Sequence, residues 1–160
     1  MLRSFAFAVC LLATVPLALA QEAAPAAPVR PWQVTCVSQQ TGPDLVCSMG
    51  QTLLAGQTGQ RVVSANITRQ DGKLVMQLAL PHGLRLPDGV DIAVDGGARS
   101  SFTIVTADQN GSYAEVPLDD ALLGALRAGQ ILEVVVQAYD GGEIVLQLSL
   151  AGFTEAIGRL

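Results

Sequence analysis

Alternation of apolar and polar residues, repeatedly cut by glycine-containing turns, is the feature that most constrains the fold of this chain. The runs "RVVSANITRQ" and "KLVMQLAL" flank Asp71-Gly72, a dipeptide typical of a two-residue β-hairpin turn. Similar turns stand at Asp95-Gly96-Gly97, Asn110-Gly111 and Asp140-Gly141-Gly142, each between runs rich in β-branched residues. Alternation puts every second side chain on one face of a strand. We therefore predict an all-β, antiparallel β-sandwich of about eight or nine strands.

Two segments depart from the alternation and predict one or two short helices. The segment "LDDALLGALRAG" can begin its helix at Asp119 or Asp120, either of which can act as a cap, and can end it at Gly129. The tail "GFTEAIGRL" can form one further helical turn. Leucines recur at helical spacing in the first segment: Leu118, Leu122, Leu123 and Leu126.

A third irregular segment, "LPHGLRLPDGV" at residues 80–90, contains two prolines and two interior glycines. Proline cannot donate a hydrogen bond to a sheet, so this segment is predicted to be a crossover loop or an edge segment. We expect Leu84 and Leu86 to pack against the sandwich. The segment is also a candidate recognition surface.

The first twenty residues have the organisation of a signal peptide. Arg3 precedes an apolar stretch that ends in Ala18-Leu19-Ala20, the small-x-small pattern that signal peptidase cleaves. The apolar stretch is short for a membrane span of ~20 residues, although an uncleaved signal anchor is the alternative. Cys10 lies too early for lipid modification. We predict a signal peptide at 1–20, a flexible Pro/Ala-rich linker at 21–31 and one domain at 32–160.

Charge excludes one class of partner for the mature chain. Losing Arg3 with the signal peptide moves the net charge from -5 to -6. Nucleic-acid binding requires clustered Lys and Arg to neutralise phosphates, and the basic residues here are few and dispersed. Anionic membrane surfaces are disfavoured for the same reason. No transmembrane segment is expected in the mature chain.

The cysteine count favours a structural disulfide. Cleavage removes Cys10 and leaves Cys36 and Cys47, an even number in a chain predicted to leave the cytosol. They enclose the turn-forming sequence Thr41-Gly42-Pro43-Asp44. A redox-active pair usually has the form C-x-x-C at the start of a helix, and a metal site needs four ligands. The spacing of Cys36 and Cys47 is wrong for a redox-active pair, and the two thiols are too few for a metal site.

The sequence offers no set of catalytic, cofactor-binding or metal-binding residues. His82 is the single histidine, and no serine lies in a G-x-S-x-G sequence. Asp88, Asp91 and Asp95 are close in sequence but lack the D-x-D-x-D-G spacing of a calcium loop. Turn formation explains the aspartates that precede glycine. We therefore predict that the protein is not an enzyme.

Four ordered motifs resemble the invasion-associated locus B family. They are "W-x-V-x-C … V-C-S-M-x-Q", "LPHGLRLPDGVDIAVDGG", "LDDALLGALRAG" and "LSLAGFTEAIGRL". Together they span the chain from about Trp32 to Leu160. The resemblance implies an immunoglobulin-like β-sandwich exported by a Gram-negative bacterium to the periplasm or cell surface. It further implies a link, in some pathogens, to entry into host cells.

The resemblance implies no catalytic residues and places the family's first cysteine pair at Cys36 and Cys47. A second pair is usual in the family, in a C-x-x-x-G-C arrangement. In this chain Ala107 and Ser112 stand at the matching positions, on either side of the retained Gly111. The chain therefore departs from the family at this hairpin.

The leading functional hypothesis is a non-enzymatic β-sandwich that binds a protein or a cell-envelope component. The alternative is an envelope assembly or stress factor whose effect on invasion is indirect. An envelope hydrolase that uses His82 is a third hypothesis, weakened by the missing catalytic partners. Recognition is expected in the loop around Pro81–Asp88 and the turn near Asn110. The candidate binding residues are His82, Leu84, Arg85, Asn110 and Tyr113.

Overall fold

The computed structural model describes residues 32–38 and 45–160, which form ten β-strands and two short α-helices. The predicted signal peptide, the linker and the turn at Thr41–Asp44 lie outside the described residues. The elements in chain order are β1 (Gln33–Ser38), β2 (Leu45–Leu54), β3 (Arg61–Gln70), β4 (Lys73–Leu80), β5 (Val90–Val94), β6 (Ser100–Phe102), β7 (Ile104–Asp108), β8 (Gly111–Pro117), α1 (Asp120–Ala128), β9 (Ile131–Gln137), β10 (Glu143–Ser149) and α2 (Phe153–Ile157).

The strands form two antiparallel sheets. The six-stranded sheet has the order β1-β2-β3-β4-β8-β7, and the four-stranded sheet has the order β10-β9-β5-β6. The predicted antiparallel all-β sandwich with short helices is confirmed. The strand count is higher than expected because the run "SFTIV" breaks at Thr103 into β6 and β7, which belong to different sheets.

Alternating side chains from both sheets build the core between them. In the register of the large sheet, Met49 lies opposite Ile67, and Ile67 lies opposite Met76. In the small sheet, Val134 lies opposite both Ile92 and Leu146. All these residues are buried. Removing this apolar surface from water is the main force that holds the two sheets together.

The hairpin turns adopt the backbone conformation that their sequences predict. Asp71 and Gly72 have φ angles of 48° and 77°, and Asp95 and Gly96 have φ angles of 51° and 70°. Two successive positive φ angles characterise the type I′ turn, whose twist matches that of the flanking strands. The Asp71-Gly72 turn therefore fixes the register of the β3–β4 hairpin. In the β5–β6 hairpin, strand pairing begins only at Ile92 and Ser100.

Both helices form where the sequence predicts them. The Oδ1 atom of Asp119 accepts a hydrogen bond of 2.8 Å from the N–H of Leu122, which caps the start of α1. Gly129 ends this helix. In α2 the side chains of Phe153 and Ile157 are buried. The buried side chains of both helices are part of the hydrophobic core.

The segment between β4 and β5 is a crossover loop, as predicted, and pairs with the β9–β10 connection. The N–H of Arg85 donates a hydrogen bond of 2.9 Å to the carbonyl oxygen of Gln137. The N–H of Tyr139 donates one of 2.8 Å to the carbonyl oxygen of Gly83. Leu84 is only 8% exposed, as expected. The prediction for Leu86 is wrong, since this residue is 42% exposed. A short 3-10 turn begins at Leu86 and keeps its side chain outside the core.

Candidate functional site

Several loops meet at one end of the sandwich, which we call the loop end. It comprises residues 55–60, 81–89, 109–110 and 138–142, the connections that join strands at this end, together with Arg61 and Tyr113 at the adjoining ends of β3 and β8. The guanidinium of Arg61 donates to the carbonyl oxygen of Asn110. His82 Nε2 lies 3.2 Å from the carbonyl oxygen of Gln109. Residues far apart in sequence are thus held side by side.

The β7–β8 turn is organised around the carboxylate of Asp108. Its Oδ1 atom accepts hydrogen bonds from the N–H of Asn110 at 2.7 Å and from the hydroxyl of Tyr113 at 3.1 Å. The Asn110 N–H, followed by the Tyr113 hydroxyl, holds the pKa of Asp108 below its usual value. These bonds orient the turn and tie the ring of Tyr113 to it.

Close packing makes glycine necessary at the end of this turn. Gly111 has a φ angle of 149° and is buried. A Cβ atom at this position would collide with the carbonyl oxygen of Leu80. The β7–β8 turn therefore lies directly against the end of β4. Because Leu80 contacts the turn at Gly111, the loop that begins at Pro81 starts beside the β7–β8 turn.

The structure brings together three of the five predicted binding residues. His82, Asn110 and Tyr113 lie around the same turn, and the exposed Arg85 lies on the adjoining loop. The Nε atom of Arg85 lies 3.3 Å from Asp88 Oδ2. Leu84 is separate, because its side chain packs in the core.

Two residues of the loop end were not predicted as site residues. Tyr139 is 83% exposed, the largest exposure among the large hydrophobic residues of the described chain. Arg61 reaches Asn110 across 49 positions of sequence. No local pattern marks Arg61, because its role depends on a long-range contact. The sequence around Tyr139, "AYDGG", indicates a turn but not the pairing with Gly83.

The structure joins Cys36 and Cys47 in a disulfide between directly opposed residues of β1 and β2. Their Cα atoms are 4.0 Å apart. The bond lies at the end of the large sheet opposite the loop end, next to the exposed residues Val37, Leu45 and Val46. It is therefore separate from the cluster around Asn110.

A cleft lies between the β5–β6 hairpin and α1. Its lining is mainly apolar and includes Ala93, Phe102, Leu122 and Ala125. The carboxylate of Asp119, which also lines it, is already engaged in capping α1. The cleft offers shape and apolar contact but few polar groups that could orient a ligand.

In the described part of the chain, the hydrogen-bond partner of His82 is the backbone of Gln109. The histidine Nε2 atom faces a backbone carbonyl oxygen rather than a hydroxyl or a thiol. Across residues 32–38 and 45–160, no group of three or more His, Cys, Asp and Glu side chains is placed to hold a metal ion. In the same ranges no helix is long and apolar enough to cross a membrane.

Comparison with known proteins identifies the family. The family profile described as Invasion associated locus B (IalB) protein matches residues 32–160. The chain belongs to the invasion-associated locus B family. Invasion protein B homologs from two strains of Brucella abortus are each 32% identical to it over 131 residues, covering 81% of this chain and 75% of each relative.

A solved IalB structure has the same fold. The crystal structure of invasion associated protein B from Bartonella henselae matches with a TM-score of 0.72 at 26% identity. The match covers 80% of this chain and 88% of that chain. The family resemblance seen in the sequence motifs and the two-sheet β-sandwich that it implies are confirmed.

The structure locates the hairpin at which the family resemblance implies a second cysteine pair. Ala107 and Ser112 are directly opposed in the register of β7 and β8. A disulfide between these two positions would connect β7 to β8 across the hairpin. In this chain the hydrogen bonds of Asp108 hold the same turn together.

Proposed function

We propose that this IalB family member is an exported, non-enzymatic protein of the bacterial envelope that binds a protein or a cell-envelope component through its loop end. One observation carries the proposal. The two loops that the sequence predicts as recognition surfaces, around His82 and around Asn110, are in contact in the folded chain. A rigid sandwich that presents a cluster of loops is a common arrangement for recognition.

The chemistry of the loop end fits a polar partner with some apolar surface. Arg61, Arg85 and His82 offer hydrogen-bond donors. The exposed ring of Tyr139 offers a rigid apolar face with a polar tip. Tyrosine and arginine are enriched among the residues that dominate binding energy at protein interfaces.

Export is part of the proposal. A disulfide persists in oxidising compartments, and the Cys36–Cys47 bond fits the periplasm or the cell surface. Release from a signal peptide at 1–20 would deliver the domain there. N-terminal sequencing of the protein from a periplasmic extract tests this step, and a mature chain that begins at Gln21 is the expected result.

The binding site is tested by replacing the loop end and capturing partners in intact cells. In one variant His82, Arg85 and Tyr139 are changed to Ala. A matched control changes Gln70, Lys73 and Arg127 to Ala, all exposed residues away from the loop end. Photo-crosslinking followed by mass spectrometry should lose its captured partner in the loop-end variant and keep it in the control.

Two outcomes contradict the proposal. If the loop-end variant recovers every partner at wild-type yield, the site lies elsewhere. If a deletion strain is sensitive only to detergent or osmotic stress and neither variant affects rescue, the role is envelope maintenance without binding at this site. Circular dichroism of each variant confirms that the sandwich is intact.

A further inference from the structure

The free edge of β1 differs from the other sheet edges of the described chain. The edge strands are β1 and β7 in the large sheet and β6 and β10 in the small sheet. A register shift between Ile104 and Thr106 interrupts β7, and β6 has only three residues. The charged Glu143 begins β10 and binds Arg99 at 2.9 and 3.0 Å. Bulges, short length and charge are the features that prevent edge-to-edge pairing.

None of these features is present in β1. Its sequence, "QVTCVS", contains no charged residue, no proline and no glycine over six residues. The register with β2 is continuous from Gln33 to Ser38. A regular, uncharged edge strand is a template for another strand.

The register shows which peptide groups face outward from β1. The Cα atoms of Cys36 and Cys47 are 4.0 Å apart, the short spacing of a pair without mutual hydrogen bonds. The N–H and C=O of Cys36 therefore point away from β2. Because the pattern alternates, Val34 and Ser38 also direct their peptide groups toward the free edge.

Exposed apolar side chains lie next to this edge. Val37 is 58% exposed and lies opposite Val46, which is 37% exposed. Leu45, next to Val46, is 64% exposed. Pairing between β2 and β3 begins at Ser48, so residues 45–47 of β2 are paired with β1 but not with β3. The disulfide holds β1 and β2 together in this segment.

We propose that β1 pairs antiparallel with β1 of a second copy of this chain, across a two-fold axis at Cys36. In this register Val34 lies opposite Ser38 of the partner subunit, and the peptide groups of all three outward-facing residues are hydrogen-bonded. Val37 lies opposite Thr35 of the partner subunit on the outer face. The two six-stranded sheets become one continuous sheet.

A second copy of the chain meets the charge and symmetry requirements of this edge. Copies of the mature chain, with a net charge of -6, repel one another least where the contact surface carries no charge. The described strands β1 and β2 contain no charged residue at all. A two-fold interface must also be self-complementary, and an uncharged strand paired with its own copy meets this condition.

The oligomeric state of the mature, disulfide-intact chain tests the proposal. Light scattering after size exclusion, over about 1–200 μM protein, should give the mass of two chains at the upper concentrations. Val37→Lys places two like charges near the axis. Ser38→Pro removes an outward-facing N–H that β2 does not use. Each change should raise the dimer dissociation constant at least about tenfold, a loss of about 1.4 kcal/mol.

Val145→Lys is the matched control, because Val145 is 45% exposed on the other long edge strand, β10. This variant should remain dimeric. A wild-type chain that has the mass of one copy at every concentration overturns the proposal. So does a dimer that Val145→Lys disrupts and Val37→Lys does not. Uptake of a foreign extended peptide by a monomeric wild type would assign the edge to a different partner. None of these results depends on partner capture at the loop end.

Discussion

At the scale of single residues, the Cys36–Cys47 bond is predicted to act mainly on the unfolded chain. Cys36 is exposed and Cys47 is half-buried, so the sulfur atoms add little to the core. The bond closes a loop with a sequence separation of 11. Changing both cysteines to Ala should lower the free energy of unfolding by about 2–3 kcal/mol, measured by urea denaturation.

Reduced wild-type protein is the control for this prediction. It should unfold at the same urea concentration as the double alanine variant, because both lack the same constraint. A much smaller loss in the double variant would show that residual structure already restricts the unfolded chain. Loss of the folded state in the double variant would contradict the view that the bond lies outside the main core.

Asp108 gives the loop end a predicted dependence on acid. Its folded-state pKa lies below the unfolded value of 3.8, chiefly because of the Asn110 N–H. Ionised Asp108 therefore stabilises the fold above pH 3.8, and this contribution disappears as the pH falls through the lower folded pKa. Asp108→Asn should lower the melting temperature at pH 7, and the difference from wild type should be smaller at a pH well below 3.8.

Thermal melts at both pH values measure this effect. Glu115→Gln, an exposed carboxylate on the neighbouring strand β8, is the matched control and should show a smaller loss at pH 7. If Asp108→Asn destabilises equally at the two pH values, the ionised carboxylate is not the cause.

At the scale of single elements, the β7–β8 hairpin should accept a second disulfide. Ala107 and Ser112 are directly opposed, and a bridge here would close a short loop. Changing both to Cys should form the bond under oxidising conditions and raise the free energy of unfolding by about 2 kcal/mol. Mass spectrometry detects the bond, and urea denaturation measures the gain.

Ser112 is only 3% exposed, so each single cysteine variant is needed to separate packing from cross-linking. The single variants should have stability close to wild type, and reduction of the double variant should remove the gain. If the double variant stays reduced in air, the hairpin geometry at Asp108 does not bring these two side chains together.

Local patterns predicted most elements of the fold. Turn sequences identified the hairpin at Asp71-Gly72, and the Asp119 cap and Gly129 identified α1. Both features depend on a few adjacent residues. The division between β6 and β7 at Thr103 was not predicted, because alternation continues through it and only the pairing partners differ.

Only those parts of the candidate site that depend on adjacent residues could be predicted from the sequence. The loops near His82 and Asn110 could be recognised from their prolines and glycines. Their contact could not, since it requires the crossover from β4 to place His82 beside Gln109. The burial of Leu84 depends on its pairing with Ala138, which is also a long-range contact.

At the scale of the whole molecule, the two sheets are held together differently on their two sides. On one side the chain itself passes from β6 to β7 through Thr103. On the other side β1 and β10 belong to different sheets. Trp32 connects them, because its Nε1 atom donates a hydrogen bond of 2.9 Å to the carbonyl oxygen of Ser149. The sandwich should therefore be most sensitive to changes on the Trp32 side.

Trp32→Ala tests this sensitivity. The side chain is 6% exposed, and its ring packs edge-on against Phe153 with centroids 5.2 Å apart. Removing it should cost about 3–5 kcal/mol in the free energy of unfolding, by loss of buried surface and creation of a cavity. Trp32→Phe retains an aromatic ring and loses the bond to Ser149, so it should cost clearly less. Circular dichroism in urea measures both variants, since each lacks the only tryptophan and its fluorescence. Equal losses in the two variants would show that the hydrogen bond to β10, rather than aromatic packing, joins the sheets on this side.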